Sequence, residues 1–108
     1  MGSDTISVAA ATAAVGYDLT SGKSVQSSYR ARYLKGIACT GSTAAGDTAF
    51  DLFVDTIKVG TFVNTDTGVP NVDDILPAGH LVPAGAQLHA YVTDAATSNP
   101  VYVTFVWA

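Results

Sequence analysis

The sequence predicts an all-β fold, a small antiparallel β-sandwich of jelly-roll or Greek-key type, with residues 1–108 forming a single domain. Composition is the first reason. Lys, Arg, Asp and Glu make up 13% of the residues, against about 25% in an average soluble domain. All nine acidic residues are Asp, Glu is absent and Gln occurs only at 26 and 87. The best polar helix formers are therefore scarce, while Val, Thr, Gly and Asp abound. The second reason is periodicity: short runs in which apolar and polar residues alternate, separated by Gly, Pro, Asn and Asp, imply six to eight strands. The third is the stretch Gln87 to Ala108, which reads as two strands folded back on one another as a hairpin across residues 94–100. Val101, Val103, Phe105 and Trp107 share one face of its second strand, with Tyr102, Thr104 and Val106 behind. A strand apolar on one side and partly apolar on the other is expected to be central or covered.

From the amino terminus, Ile6, Val8 and Ala10 alternate within an opening strand that decays by Val15. Residues 18–28 read as turn and loop. Tyr29 to Thr40 is a strand whose pattern slips around Lys35, and Gly36 marks a bulge that would restore it. Ala49 to Val54 turns Phe50, Leu52 and Val54 inward, and Ile57, Val59, Thr61 and Val63 align in the next strand. Only Asp55-Thr56 separates the two, which predicts a tight hairpin. Residues 64–86 form a long ordered crossing, with a short strand near Ile75. The near-repeats Leu76-Pro77-Ala78-Gly79 and Val82-Pro83-Ala84-Gly85 are each expected to reverse the chain, since Pro second and Gly fourth suit a type I turn. Tyr91 and Tyr102 would then pair across the final hairpin.

The residues that carry chemistry form no recognised constellation. His80 and His89 are the only imidazoles, and a zinc site needs further ligands at suitable spacing. Asp66, Asn71, Asp73 and Asp74 gather oxygen ligands, but in no calcium-loop pattern, and such residues are ordinary in turns. No Gly-x-Ser-x-Gly elbow is present, and Asp51 and Asp55 read as solvated acids. The sequence therefore implies a protein that is not an enzyme, with no catalytic residue, metal or cofactor. Cys39, the one cysteine, lies in an apolar run as a small buried hydrophobe. A net charge of −4 argues against nucleic acid as a partner. No apolar run suits a membrane span, and Met1-Gly2-Ser3-Asp4 lacks the basic start of a signal peptide. The basic residues Arg30, Arg32 and Lys35 read as a solvated strand edge.

The hairpin Phe50 to Val63, the Val82-Pro83-Ala84-Gly85 turn and the final strand Tyr102-Val103-Thr104-Phe105-Val106-Trp107 resemble the small jelly-roll capsid decoration, or cement, proteins of viruses. The resemblance implies a virion protein on the capsid surface, folded in the host cytoplasm. It would bind the major capsid protein or another virion protein and act as a homo-oligomer, with a trimer favoured. Low charge and apolar back faces point the same way without the resemblance. The residues singled out for contact are Tyr102, Val106 and Trp107 on the last strand, and Asp73, Asp74 and His80 in the long crossing. The alternative is a carbohydrate- or receptor-binding module. Exposed aromatic rings beside Asp or Asn would favour that alternative, and a large apolar contact surface would favour assembly.

Overall fold

The computed structural model describes residues 2–9, 12–27, 29–68, 74–97 and 100–108. Seven strands run through the described residues: β1 (Gly2–Val8), β2 (Arg32–Gly41), β3 (Ala49–Val54), β4 (Ile57–Val63), β5 (Leu76–Val82), β6 (Leu88–Asp94) and β7 (Val101–Trp107). One short 3-10 turn, Ser24–Gln26, interrupts them. They form two antiparallel sheets, β1-β7-β2-β5 and β4-β3-β6. The chain is an all-β sandwich, as its composition predicts.

A further segment completes the second sheet. The Gly16 N–H donates to the Val92 carbonyl at 2.8 Å, the Val92 N–H to Tyr17 at 2.9 Å, and the Leu19 N–H to Ala90 at 2.8 Å. Residues 16–19 thus lie antiparallel beside β6, with Asp18 opposite Tyr91. With this segment counted as a strand position, β3 and β4 are the only consecutive positions joined within one sheet, and every other connection crosses between sheets. The two sheets then carry the strand order of a jelly roll. Residues 18–28, read from sequence as loop, therefore begin with a sheet edge.

The last two strands depart from expectation. β6 lies in one sheet and β7 in the other, so the chain passes between sheets from Asp94 to Val101 instead of closing a hairpin. Tyr91 and Tyr102 consequently sit on opposite outer faces and do not pair. β7 is central, between β1 and β2, as its two-sided apolar character requires. Val101, Val103 and Phe105 are buried inward with Trp107 below them.

Two irregularities explain the remaining patterns. In β2 the register shifts between Leu34 and Gly36, so that Lys35 is exposed and Leu34, Ile37 and Cys39 all reach the core. In β4 the shift opposite Leu52 and Phe53 breaks the expected Ile57–Val63 alignment. Phe62 therefore packs on Phe50, with ring centroids 5.7 Å apart, while Ile57 and Val63 are exposed and Val59 is half-buried. The Asp55-Thr56 turn between Val54 and Ile57 is the two-residue turn expected, and Asp55 takes a positive φ of 53°.

The first Pro-Ala-Gly does not reverse the chain. Residues 76–82 form the edge strand β5, where Pro77 lacks only an N–H and Gly79 absorbs an irregularity at a φ of 62°. The second does turn, one residue later than predicted: the Ala86 N–H donates to the Pro83 carbonyl at 3.1 Å.

Burying a large apolar side chain contributes about 1.5–3 kcal/mol, and Phe50, Leu52, Leu88, Val92, Val103 and Phe105 all lie in the core. Val103→Ala should lower unfolding free energy by about 1–3 kcal/mol. Chemical denaturation checks this, and an unchanged midpoint would contradict the burial.

Candidate interaction surfaces

Asp18, Asp47 and Asn64 are held by groups of their own chain, whereas Arg32 Nε and Nη2 are buried without a hydrogen-bond partner among the described residues. The Asp18 carboxylate accepts from the N–H groups of Thr20 (3.0 Å) and Ala90 (2.9 Å), from His89 Nδ1 (2.7 Å) and from the Thr20 hydroxyl (2.7 Å). Burial pushes this carboxyl up, but the bonds from Ala90, Thr20 and His89 outweigh it and hold its pKa below the ordinary 3.8. The effect is to clamp residues 16–20 onto β6. His89 is held to Asp18 through Nδ1. His89 lies on the outer face expected of it, stacked on Tyr91 at 5.5 Å, with Phe53 edge-on to Tyr91 at 5.7 Å. Asp51 on the same face accepts from the Thr61 hydroxyl at 2.5 Å and lies 3.5 Å from Lys58 Nζ.

At the far end of the sandwich Asp47 bonds Ser42 and accepts from the Thr97 N–H (2.9 Å) and hydroxyl (2.8 Å). The Ser42 bond, then those from Thr97, bring its pKa down to about 2. Asn64 is buried, donating to the Gly41 (3.0 Å) and Ala44 (2.8 Å) carbonyls and accepting from the Thr48 N–H at 3.0 Å. Cys39 is buried and its thiol is pushed up to about 12 by desolvation, a small hydrophobe as expected.

The residues singled out from sequence do not converge. Trp107 is turned inward: its Nε1–H donates to Asp4 at 2.8 Å and the Arg32 guanidinium lies 4.7 Å from its ring centroid. Arg32 also donates to the Val25 carbonyl at 2.8 Å, so it is part of the packing at this end and not a solvated strand-edge residue. Asp74 is buried and accepts from the Thr65 hydroxyl at 3.2 Å, which withdraws it as a surface contact. Asp73 and Asn71 lie outside the described residues. His80 is half-buried on β5, opposite Leu34, and not in a loop. Tyr102 and Val106 are half-buried on the outer face of β7, in separate depressions.

That outer face is partly covered from within. The Thr65 N–H donates to Cys39 and the Gly41 N–H to Asp66, both at 3.0 Å, while the Thr40 hydroxyl donates to Gly68 at 2.8 Å. Residues 65–68 thereby bury Thr40 at one end of β2. At the other end lies a depression of about 390 Å³ lined by Lys35, Gly36, Ile75, Pro77 and Val106. Gly36 lets Ile75 pack close over the sheet here: a Cβ at residue 36 would lie 2.7 Å from Ile75 Cγ2 and 3.1 Å from the Leu76 carbonyl oxygen. Beside it, Tyr33 and Leu81 face each other across β2 and β5 at 44% and 57% exposure, and Leu76 is exposed at the start of β5. Tyr33 is one of the aromatic rings weighed in the sequence for sugar stacking, whereas Leu76 and Leu81 are not singled out by it. Their exposure follows from the pairing of β2 with a strand that was read as two turns.

Because Asp18 has a lowered pKa when folded, its stabilisation is complete above 3.8, the unfolded value, and is lost as pH falls through the folded pKa. Asp47 loses its contribution between 3.8 and about 2. Asp18→Asn should cost about 1–3 kcal/mol at neutral pH and flatten the acid limb of stability. Thermal melts from pH 7 to 2 on both proteins test this.

No protein-family model, curated protein or solved structure matches this chain, so the functional reading rests on its own fold and surfaces.

Proposed function

We propose that this chain is a non-enzymatic structural protein of a virus particle, a capsid decoration protein that binds the major capsid protein or another virion protein and stabilises the shell as an oligomer. The observation that carries the proposal is the exposed apolar pair Tyr33 and Leu81, which face each other on the outer side of β2 and β5, the same side as the Val106 depression. Contiguous apolar surface rimmed by polar residues is characteristic of protein contacts. The polar groups of the sandwich support this reading from the other side, since Asp18, Asp47 and Asn64 are saturated by their own chain.

The carbohydrate-binding alternative draws on Phe53, His89 and Tyr91 with Asp51 nearby. Their rings pack against one another, whereas sugar stacking requires ring faces open to the ligand. That arrangement favours assembly over glycan binding.

Light scattering during size-exclusion chromatography should give a mass above one chain, and the protein should co-sediment with shells stripped of their surface proteins. Val106→Asp, which places a charge in the apolar depression, should return the protein to a monomer with unchanged circular dichroism. A monomeric wild type that binds no shell but retards on glycan columns would transfer the assignment to the alternative.

A further inference from the structure

We infer that the depression over Gly36 receives the tip of the β3–β4 hairpin from a second copy of this chain, with Ile57 seated against Val106 and Pro77 and Asp55 facing Lys35. The inference rests on the self-association proposed above and names its contact.

Three features of the surface lead to it. First, the depression is apolar along Gly36, Ile75, Pro77 and Val106 and carries one cation, Lys35, on its lining. It therefore suits an apolar side chain with an acid close by. Second, the chain has such a group on a protruding tight turn, Asp55-Thr56-Ile57, with Ile57 61% exposed. The tip is held rigid, because the Asp55 N–H donates to the Gln87 carbonyl at 2.8 Å and Asp55 Oδ1 accepts from the Gln87 N–H at 3.0 Å. A tip already ordered loses little conformational entropy on docking. Third, backbone pairing along the adjacent edge is discouraged. β5 carries Pro77 and an irregularity at Gly79, the devices that prevent edge strands from adding to one another. Contact at this corner therefore runs through side chains, which is what a depression and an inserted tip provide.

The depression lies on the outer face of the four-stranded sheet, and the tip at an end of the three-stranded one. The two patches differ, so the contact either is exchanged reciprocally about a two-fold axis or repeats head to tail. A heterologous contact closes into a ring where the rotation between neighbours allows it. The charge pair supplies register and orientation, and burial of Ile57 supplies most of the affinity.

The test is a charge exchange. Lys35→Asp and Asp55→Lys should each abolish the oligomer peak in size-exclusion chromatography with light scattering, and the double variant should regain it. Circular dichroism on each variant separates loss of association from loss of fold. In a second arm, Lys35→Cys and Asp55→Cys proteins, mixed with copper–phenanthroline as oxidant, should give a covalent pair that neither gives alone. Cys39 does not compete, being buried with its thiol pushed up to about 12. An oligomer unaffected by either charge reversal, or a cross-link from Lys35→Cys alone, overturns this contact while leaving self-association standing. A monomeric wild type overturns both, and attachment to shells is then judged separately by co-sedimentation.

Discussion

The fold depends on β7 having a hydrogen-bonded partner on each side. Its inner face of Val101, Val103, Phe105 and Trp107 must be covered by the opposite sheet, and its two edges are filled by β1 and β2. The pairing with β1 runs from Gly2 opposite Trp107 to Val8 opposite Val101, so the first strand of the chain is bound to the last. Bringing such distant segments together costs loop-closure entropy that only long-range burial offsets. Once β1 and β2 flank β7, the intervening chain has to leave the sheet and return. It does so by laying residues 16–19 on the edge of β6, where the Asp18 carboxylate holds them.

The same constraint separates what was legible in the sequence from what was not. The β3–β4 hairpin could be read because Phe50, Leu52 and Val54 alternate without interruption and two residues leave no other connection. Alternation in β6 and β7 correctly gave the inward residues Leu88, Ala90, Val92, Val103 and Phe105. It could not give their partners, because period 2 reports which face is buried and not which strand lies alongside. A connection spanning residues 94–100 accommodates a hairpin or an arch equally well. Pro77 and Gly79 are local turn signals, and they were overridden by the open edge of β2, which accepts a proline where no N–H is needed.

The interior polar residues were the least legible. Arg32 looked like an edge charge, yet its guanidinium lies over Trp107 near Asp4, so that a long side chain caps one end of the core. Asp18 reads as a turn residue because only Thr20 among its partners is local, while His89 and Ala90 come from a distant strand. Asp74 reads as a surface acid and is buried against Thr65. In each case the sequence carries the residue type but not the neighbour that sets its role.

This economy of polar groups bears on how such a chain could recognise anything. With 13% charged residues, and with Asp18 and Asp47 committed to holding a sheet edge and a loop, few charges remain on the outside to direct a contact. Apolar contact alone is poorly selective, because it is non-directional and scales with area. Under the assembly reading, selectivity therefore has to come from shape and from a few well-placed charges. The depression lined by Gly36, Ile75, Pro77 and Val106, with Lys35 beside them, offers both. The small residue at 36 lets Ile75 pack against the sheet and so places its apolar side chain in the lining, which joins a packing requirement to a recognition one.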